Sequence, residues 1–132
     1  MTPRLLRAYR WTRYEAAGIP VFVGRRSLAM DALLRQHRAK AGVFVTAWNP
    51  CSRLMPAGWN DRQQRALLAR LRRWIALPGG GTLGRWHEAH VLALAPPALV
   101  TRLARSFRQN AVVEVRAGRK AVLRPVAAPA SP

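Results

Sequence analysis

Hydrophobic and polar residues follow two different periods along this chain, and the period separates strands from helices. Two extended runs, RWTRYEAA and IPVFVGRR, flank Gly18 and predict a β-hairpin. The run VFVTAW is almost continuously apolar and β-branched, which is typical of a central strand covered on both faces. RWHEAHVLALA predicts another strand, stopped by Pro96, and AVVEV and AVLRPV predict a closing hairpin that turns at Ala117 and Gly118.

Three segments show the helical period instead. LAMDALLRQHR follows a candidate N-cap, Ser27, and predicts a helix with one apolar face, formed by Leu28, Ala32 and Leu33. NDRQQRALLARLRRWIAL has the strongest helical pattern, with Asn60 as the predicted N-cap and Gln63 completing a capping box. Its predicted apolar face comprises Leu67, Leu68, Leu71, Trp74 and Ile75. ALVTRLARSFRQ predicts a third helix with Pro97 in its first turn, ended by a left-handed Asn110.

The glycine-rich stretch LPGGGTLG predicts a flexible loop between the second helix and the next strand. It contains G-x-G-x-x-G, but a dinucleotide fingerprint needs that motif after a strand and before a helix. The resulting order, β-β-α-β-α-β-α-β-β, predicts an α+β fold with a mixed β-sheet and three helices. We expect one domain over residues 1–124 and a disordered Pro/Ala-rich tail over residues 125–132.

Four spaced pieces of sequence carry a family resemblance: VTAWNPCS, Asn60 with RQ close behind it, GRWHE and FRQNA. Together they resemble a family of small bacterial proteins of unknown function, over most of the chain from Tyr9 to Leu123. That family is marked by a TAWNP motif, an Asn-x-x-Arg/Gln segment, a Trp-x-Glu and a Gln-Asn-Ala. The resemblance implies no activity, but it singles out a set of residues: Thr46, Trp48, Asn49, Pro50, Ser52, Asn60, Arg62, Gln63, Trp86, Glu88, Gln109 and Asn110.

The end of the VFVTAW strand is rich in polar side chains and predicts a ligand pocket. Ligands gather beyond the carboxyl ends of strands in sheets with helical crossovers, and Thr46, Trp48, Asn49 and Ser52 follow such an end. An indole supplies a flat stacking wall, and an amide supplies both a donor and an acceptor. The alternative is a structural turn, because Asn-Pro starts turns well and Trp48 also suits a core.

The start of the second predicted helix favours an anionic small molecule in that pocket. Free backbone N–H groups and the helix dipole near Asn60 attract negative charge, and Arg62 offers a bidentate grip on phosphate or carboxylate. The alternative is an ordinary cap beside a solvated arginine. Gln109 and Asn110 are either a helix end or side-chain amides that reach the same pocket.

Glu88 is one of only five acids, and strand alternation puts it on one face with Trp86 and His90. A buried carboxylate must pair with an arginine or titrate, so Glu88 is either half of an Arg–Glu pair or a ligand acceptor. A third interpretation makes it the general base of a hydrolase or transferase. We expect no cofactor and no metal, since the only conceivable ligand set is Cys51, His87 and His90, and HEAH lacks the HExxH spacing.

The charge of the chain adds a different class of partner. The 132 residues carry 23 Lys+Arg and 5 Asp+Glu, which gives a formal net charge of +18 at pH 7. Because nearly all the cations are arginines, whose fork fits phosphate, non-specific nucleic-acid binding or association with the ribosome is the alternative function. The single cysteine, the absence of a secretory signal and the lack of an apolar span of roughly 20 residues favour a cytoplasmic protein without a membrane segment. No feature of the sequence indicates an oligomeric state.

Overall fold

The computed structural model describes residues 1–126, and this part of the chain forms a seven-stranded sheet with four α-helices. The α+β class is confirmed, with one helix more than predicted. In chain order the elements are α1 (Pro3–Trp11), β1 (Arg13–Ala16), β2 (Ile19–Val21), α2 (Leu28–Gln36), β3 (Gly42–Val45), a 3-10 turn (Pro50–Ser52), α3 (Ala57–Arg70), β4 (Ile75–Leu83), β5 (Trp86–Leu94), α4 (Pro97–Ser106), β6 (Ala111–Val115) and β7 (Val122–Pro125).

The sheet has the strand order β2-β1-β4-β5-β3-β6-β7, and every pair of neighbouring strands is antiparallel. The predicted mixed sheet is therefore wrong; among the described residues, parallel pairing is limited to one isolated bridge between Val23 and Ala121. Helices α3 and α4 do cross over between strands of the same direction, but each crossover skips one strand position. An antiparallel strand fills each gap, which gives the split β-α-β arrangement of ferredoxin-like folds over β3 to β6.

Two apolar cores lie on opposite faces of this sheet. On one face, α3 and α4 pack their buried residues, such as Leu67 and Val100, against Val43, Val45 and Ala93. On the other face, α2 packs against a cluster that contains Phe44 and Leu92, and Tyr9 of α1 borders the same cluster. Strand β3 is buried along its whole length because its alternate side chains enter both cores, as its apolar pattern predicted.

The N-terminal helix α1 was not predicted. The side chain of Thr2 accepts a hydrogen bond from the backbone N–H of Leu5 (3.1 Å), and Pro3 occupies the first turn, where its missing N–H is harmless. The predicted strand RWTRYEAA therefore starts inside a helix, and only Arg13–Ala16 is extended. The predicted hairpin itself is confirmed, with left-handed Ala17 and Gly18 in a two-residue turn.

Helix α3 starts three residues before its predicted N-cap. Pro56 precedes its first turn, no side chain caps it, and Asn60 is its fourth residue, buried and bonded elsewhere. The predicted apolar face is correct at Leu67 and Leu71 but wrong at Leu68, which is 39% exposed. Because the helix ends at Arg70, Ile75 belongs to β4 and is likewise exposed.

The glycine stretch is part of strand β4, not a flexible loop. Residues 79–81 pair with β1 on one side and β5 on the other. A Cβ at Gly79 would collide with the backbone oxygen of Glu15, and a Cβ at Gly81 would lie 2.9 Å from the ring of His90. The glycines are therefore explained by close approach of a neighbouring strand and a side chain.

Several smaller predictions also need correction. Helix α2 buries Met30, Asp31 and Leu34, whereas Leu28 is 73% exposed. The left-handed residue after α4 is Arg108 rather than Asn110.

Strand β7 runs through Pro125, the first residue of the predicted tail, and residues 127–132 of that tail lie outside the described residues. Within residues 1–126 no helix combines the length and apolarity needed to cross a membrane.

Candidate functional site

A cavity of about 410 Å³ lies between α1 and the sheet, on the face opposite α3 and α4. Its size falls in the range of small-molecule pockets, which are mostly apolar with a few convergent polar groups. Its walls are the inner side of α1, strands β1 and β3 to β6, and the segments that follow β3 and α4. The lining residues are Arg4, Leu5, Ala8, Tyr9, Thr12, Tyr14, Phe44, Thr46, Ser52, Gly81, Leu83, Trp86, Glu88, His90, Gln109, Ala111, Val112 and Val113.

Helix α1 forms the roof of the cavity. Leu5, Ala8 and Tyr9 recur at the spacing of one helix face, and all three line the cavity. None of the nine residues of α1 is fully buried. The absence of fully buried residues is expected for a helix that covers a cavity, because its inward side chains line the cavity and are not packed in a core.

Glu88 contributes a carboxylate to the cavity wall. The Arg–Glu pair, which was one interpretation of the sequence, is not formed. No Lys or Arg of the described residues lies within salt-bridge distance of Glu88. Burial raises the pKa of Glu88, although a hydrogen bond from Asn49, the side chain of Trp86 and the charge of His87 each lower it by less. The cavity therefore contains a partly desolvated acid without a Lys or Arg partner among the described residues.

An amide network behind the wall holds Glu88 in place. Asn49 Nδ2 donates to Glu88 Oε2 (2.9 Å), while Asn49 Oδ1 accepts from the backbone N–H of Met55 and from Asn60 Nδ2, both at 2.9 Å. Asn60 Oδ1 in turn accepts from the backbone N–H of Asn49 (2.9 Å). Since a backbone N–H can only donate, these contacts fix the orientation of both amides and aim a donor at Glu88.

A second buried amide joins α3 to the sheet. Gln64 Oε1 accepts from the backbone N–H of Ala47 (2.8 Å), and Gln64 Nε2 donates to the carbonyl of Ala89 (3.3 Å). Thr46 Oγ1 donates to the same carbonyl (2.6 Å) and accepts from the backbone N–H of Trp48 (3.0 Å). The segment after β3 therefore runs alongside β5, next to Glu88.

The turn after β3 has a strained backbone. Asn49, Cys51 and Ser52 all have positive φ angles between 47° and 59°, a region that non-glycine residues rarely enter. Each such residue costs on the order of 1–3 kcal/mol and persists only where surrounding contacts impose it. Here the Asn60 amide holds Asn49, and the carbonyl of Arg108 accepts from the backbone N–H of Cys51 (2.7 Å).

The segment after α4 completes the wall. Gln109 lines the cavity, and its Nε2 donates to the carbonyl of Trp48 (3.0 Å). Asn110 Nδ2 donates to Ser52 Oγ (3.0 Å), next to the hydroxyl of Tyr9. Burial raises the pKa of Tyr9 to about 12, the nearby charge of Glu88 adds to that rise, and contacts with Ser52 and Asn110 lower it. Tyr9 is therefore a neutral donor and acceptor at neutral pH.

His90 forms part of the cavity floor as a neutral imidazole. Burial lowers the pKa of His90 to about 4. Its Nδ1 lies 3.1 Å from the carbonyl of Glu88, which can only accept, so Nδ1 carries the proton. The ring stacks edge-on with Tyr14 and occupies the space left by Gly81. Burial also raises the pKa of Tyr14.

The structure brings most of the sequence-predicted residues together, at different depths. Thr46, Ser52, Trp86, Glu88 and Gln109 line the cavity. A second group supports the wall from behind by hydrogen bonds, namely Asn49, Asn60 and Asn110.

Two predicted residues do not reach the cavity. Trp48 is not among the lining residues; its carbonyl accepts a hydrogen bond from the lining residue Gln109. Its indole is half-buried, and the indole N–H has no hydrogen-bond partner among the described residues. Arg62 is exposed on α3, on the other side of the sheet. The predicted stacking wall and the predicted anion grip are therefore absent from this cavity.

Sequence reasoning missed the whole roof of the site. Leu5, Ala8 and Tyr9 belong to the helix that was not predicted, and the signal that could have found it is the Thr2-Pro3 pair before a run with helical spacing. Gln64 was also missed, because the predicted capping box used its neighbour Gln63 instead.

The histidines and the cysteine do not form a metal centre in the described part of the chain, where no group of three or more potential ligands is close enough to hold an ion. His90 lines the cavity, His87 points to the other side of β5 and contacts Thr82, and Cys51 is exposed.

Fold and site together define an α+β domain with a polar-edged cavity between its N-terminal helix and an antiparallel sheet. A family model described as Protein of unknown function (DUF3293) matches residues 45–112, just over half of the chain. The chain belongs to this family of unknown function. The matched segment contains the turn after β3, helix α3, Glu88 and Gln109, and α1 lies outside it. No curated protein and no solved structure matches the chain.

Proposed function

We propose that this protein binds a small molecule in the cavity under α1, and that Glu88 recognises a hydrogen-bond donor on that molecule. The observation that carries the proposal is a carboxylate facing a cavity of about 410 Å³ with no cationic partner among the described residues. A desolvated carboxylate is costly unless it is paired or hydrogen-bonded. Asn49 donates one hydrogen bond to Glu88 but brings no positive charge, and a ligand N–H or O–H would add a further donor.

The rest of the wall specifies the body of the ligand. Leu5, Phe44, Leu83 and Val113 offer apolar surface, while Ser52 and Gln109 offer polar atoms at one side. Such a wall fits a compact apolar or aromatic body with one or two polar groups. An amine, amidine, amide or alcohol on that body matches the acceptor at Glu88.

An anionic ligand, which the sequence analysis favoured, depends on a different residue from the one expected. Arg62 is outside the cavity, whereas Arg4 of α1 lines it. An acidic group would therefore bind beside Arg4.

Three probes of similar shape separate these cases: benzamidine, benzyl alcohol and benzoate. We expect benzamidine, and more weakly benzyl alcohol, to raise the melting temperature of the protein and to give a titratable binding signal by calorimetry. Benzoate should bind more weakly, and Arg4→Gln should weaken it further. Because a donor ligand needs the ionised carboxylate, benzamidine affinity should fall as the pH falls through the raised pKa of Glu88.

Two variants test the location. Glu88→Gln keeps the shape and should abolish benzamidine binding. Ala111→Leu fills the cavity and should abolish it with Glu88 intact, whereas Ala98→Leu, on the exposed side of α4, should have no effect. Equal binding to all four proteins would contradict the proposal.

Catalysis by Glu88 is the second candidate, and its raised pKa is the observation that favours it. A carboxyl group with a raised pKa transfers protons more readily near neutral pH than an ordinary one. In that case the protein is a hydrolase or transferase, and a ligand that binds the parent is recovered chemically changed. Glu88→Gln should then abolish turnover while the protein stays folded.

A further inference from the structure

Helices α3 and α4, and the residues that directly follow each helix, carry a group of exposed arginines on the side of the sheet opposite the cavity. We call it the arginine face; it consists of Arg62, Arg65, Arg70, Arg72, Arg73, Arg102, Arg105 and Arg108. All eight side chains are exposed. None takes part in a salt bridge within residues 1–126, where the three ion pairs use Arg26, Arg116 and Arg124.

The fold turns these arginines in one direction. Leu67 and Leu71 of the α3 segment and Val100 and Leu103 of α4 point into the same core, so both helices lie on one face of the sheet and present their other sides outward. Both helices therefore present positive charge on the same side of the sheet, and Asp61 is the one acid within them.

The other sheet face is less suited to a large anion. Its helices α1 and α2 expose apolar side chains among their cations, with Trp11 70% and Leu28 73% exposed. On the arginine face the large exposed apolar residue is Leu68, at 39%. The positive charge of the second face is also interrupted by the cavity and its acid.

We propose that the arginine face binds the phosphate backbone of nucleic acid. Guanidinium groups bind phosphate oxygens through paired hydrogen bonds, and several of them together release the counterions that surround a polyanion. Along α3 the distance from Arg62 to Arg70 is about 12 Å, which spans three to four phosphates of one strand at about 3.4 Å per nucleotide. Contacts of this kind do not read sequence, so the binding is non-specific.

Two triple variants of equal charge test the surface. The first is Arg65→Gln, Arg102→Gln and Arg105→Gln on the arginine face. The second is Arg7→Gln, Arg10→Gln and Arg35→Gln on α1 and α2. These three arginines are also exposed and take part in none of the three salt bridges. Glutamine has nearly the helix propensity of arginine, so both proteins should fold like the parent, which circular dichroism and thermal unfolding check.

The measurement is fluorescence anisotropy with a labelled DNA duplex and a single-stranded RNA, from about 50 to 200 mM salt. We expect the first triple variant to bind the duplex at least about tenfold more weakly, with a slope of log affinity against log salt smaller by about 2 to 3. The second triple variant should lose much less affinity.

Three results would overturn the proposal. Equal losses in the two triple variants would mean that total charge, and not this face, attracts the polymer. Unlabelled poly-glutamate that competes as well as RNA at equal charge would indicate an acidic protein as the partner. A salt slope near zero would remove phosphate neutralisation as the source of the affinity.

Discussion

Glu114 and Glu88 are glutamates of the same sheet in opposite surroundings. Glu114, on β6, accepts hydrogen bonds from Arg116 and Arg124, both at 2.8 Å, and is nearly inaccessible to solvent. Burial alone would raise the pKa of Glu114, but hydrogen bonds and charge from these two arginines bring it below its ordinary value. Glu88, on β5, faces the cavity without a cation, and burial raises its pKa.

The contrast shows that a shortage of arginines does not explain the isolation of Glu88. All 23 cations lie within the described residues and all are exposed. Asp31, a second buried acid, is also paired, with Arg26 at 2.9 Å. Arginines thus neutralise the acids that stabilise the fold, and the one left unpaired in a cavity is the best candidate for recognition of a ligand.

The largest expected effect comes from breaking the support of Glu88. Asn60→Asp replaces two N–H donors, which bind Asn49 Oδ1 and the carbonyl of Met55, with a carboxylate oxygen in a buried position. The new carboxylate would be buried without a cation and would face two acceptor oxygens. We expect it to lower the free energy of unfolding by about 4 kcal/mol. Urea denaturation measures it. Asp61→Asn, the exposed neighbour, should change stability by less than about 0.5 kcal/mol.

The next effect concerns pH around the cavity. The pKa of His90 is about 4 in the folded protein, below the ordinary value of 6.5. Between these two pH values the unfolded state therefore binds more protons than the folded state. The free energy of unfolding consequently decreases as the pH falls from 6.5 to 4. The loss should reach about 3 kcal/mol. Glu88 has the opposite sign, because its raised pKa adds stability as the pH falls through it.

Urea denaturation at several pH values separates the two groups. His90→Gln should flatten the loss of stability, and Glu88→Gln should steepen it. A Glu88→Gln protein, in which the opposing contribution is absent, whose stability does not vary between pH 6.5 and 4 would contradict the buried neutral imidazole.

The comparison itself is tested by two identical substitutions. Glu114→Gln removes a buried charge from between two arginines and should destabilise the protein by about 1.5 kcal/mol at pH 7. Glu88→Gln removes a charge that burial disfavours and should leave the free energy of unfolding within about 0.5 kcal/mol of the parent, or raise it. Equal destabilisation by both would show that Glu88 has a stabilising partner after all.

The smallest expected effect is the change in ligand affinity caused by Arg62→Gln, compared with Arg4→Gln. Arg62→Gln should change benzamidine and benzoate affinities by less than about twofold, because its side chain is exposed on the other side of the sheet. Arg4→Gln, in the cavity wall, should weaken benzoate without weakening benzamidine. Calorimetric titration of both variants with both probes makes the comparison.

Parts of this architecture are readable from sequence because their signals are local. Alternation over RWHEAH places Trp86, Glu88 and His90 on one side of a strand, and all three line the cavity. The left-handed turn at Ala17 and Gly18 and the Pro97 start of α4 are equally local. The predicted grouping of Asn49, Asn60 and Glu88 also agrees with their hydrogen bonds, although Asn60 caps no helix.

Other parts depend on contacts that no local pattern contains. The residues Gly79 and Gly81 suggest a loop, yet they are strand residues because β1 and the His90 ring approach them closely. The sequence analysis assigned Arg62 and Glu88 to one site, but the sheet lies between them. The roof of the cavity was missed because Arg4, Arg7 and Arg10 make α1 polar on average, and because its last residues were assigned to the strand that follows it.

The sequence by itself determined the α+β class, the burial of β3, the positive surface and which polar residues follow β3. The tertiary structure decided that the sheet is antiparallel, that α1 covers a cavity, and that Glu88 remains without a cation there. The physical reason is range: turns, caps and side-chain alternation act within a few residues, whereas strand order and the neighbours of a buried carboxylate are set by segments far apart in the chain.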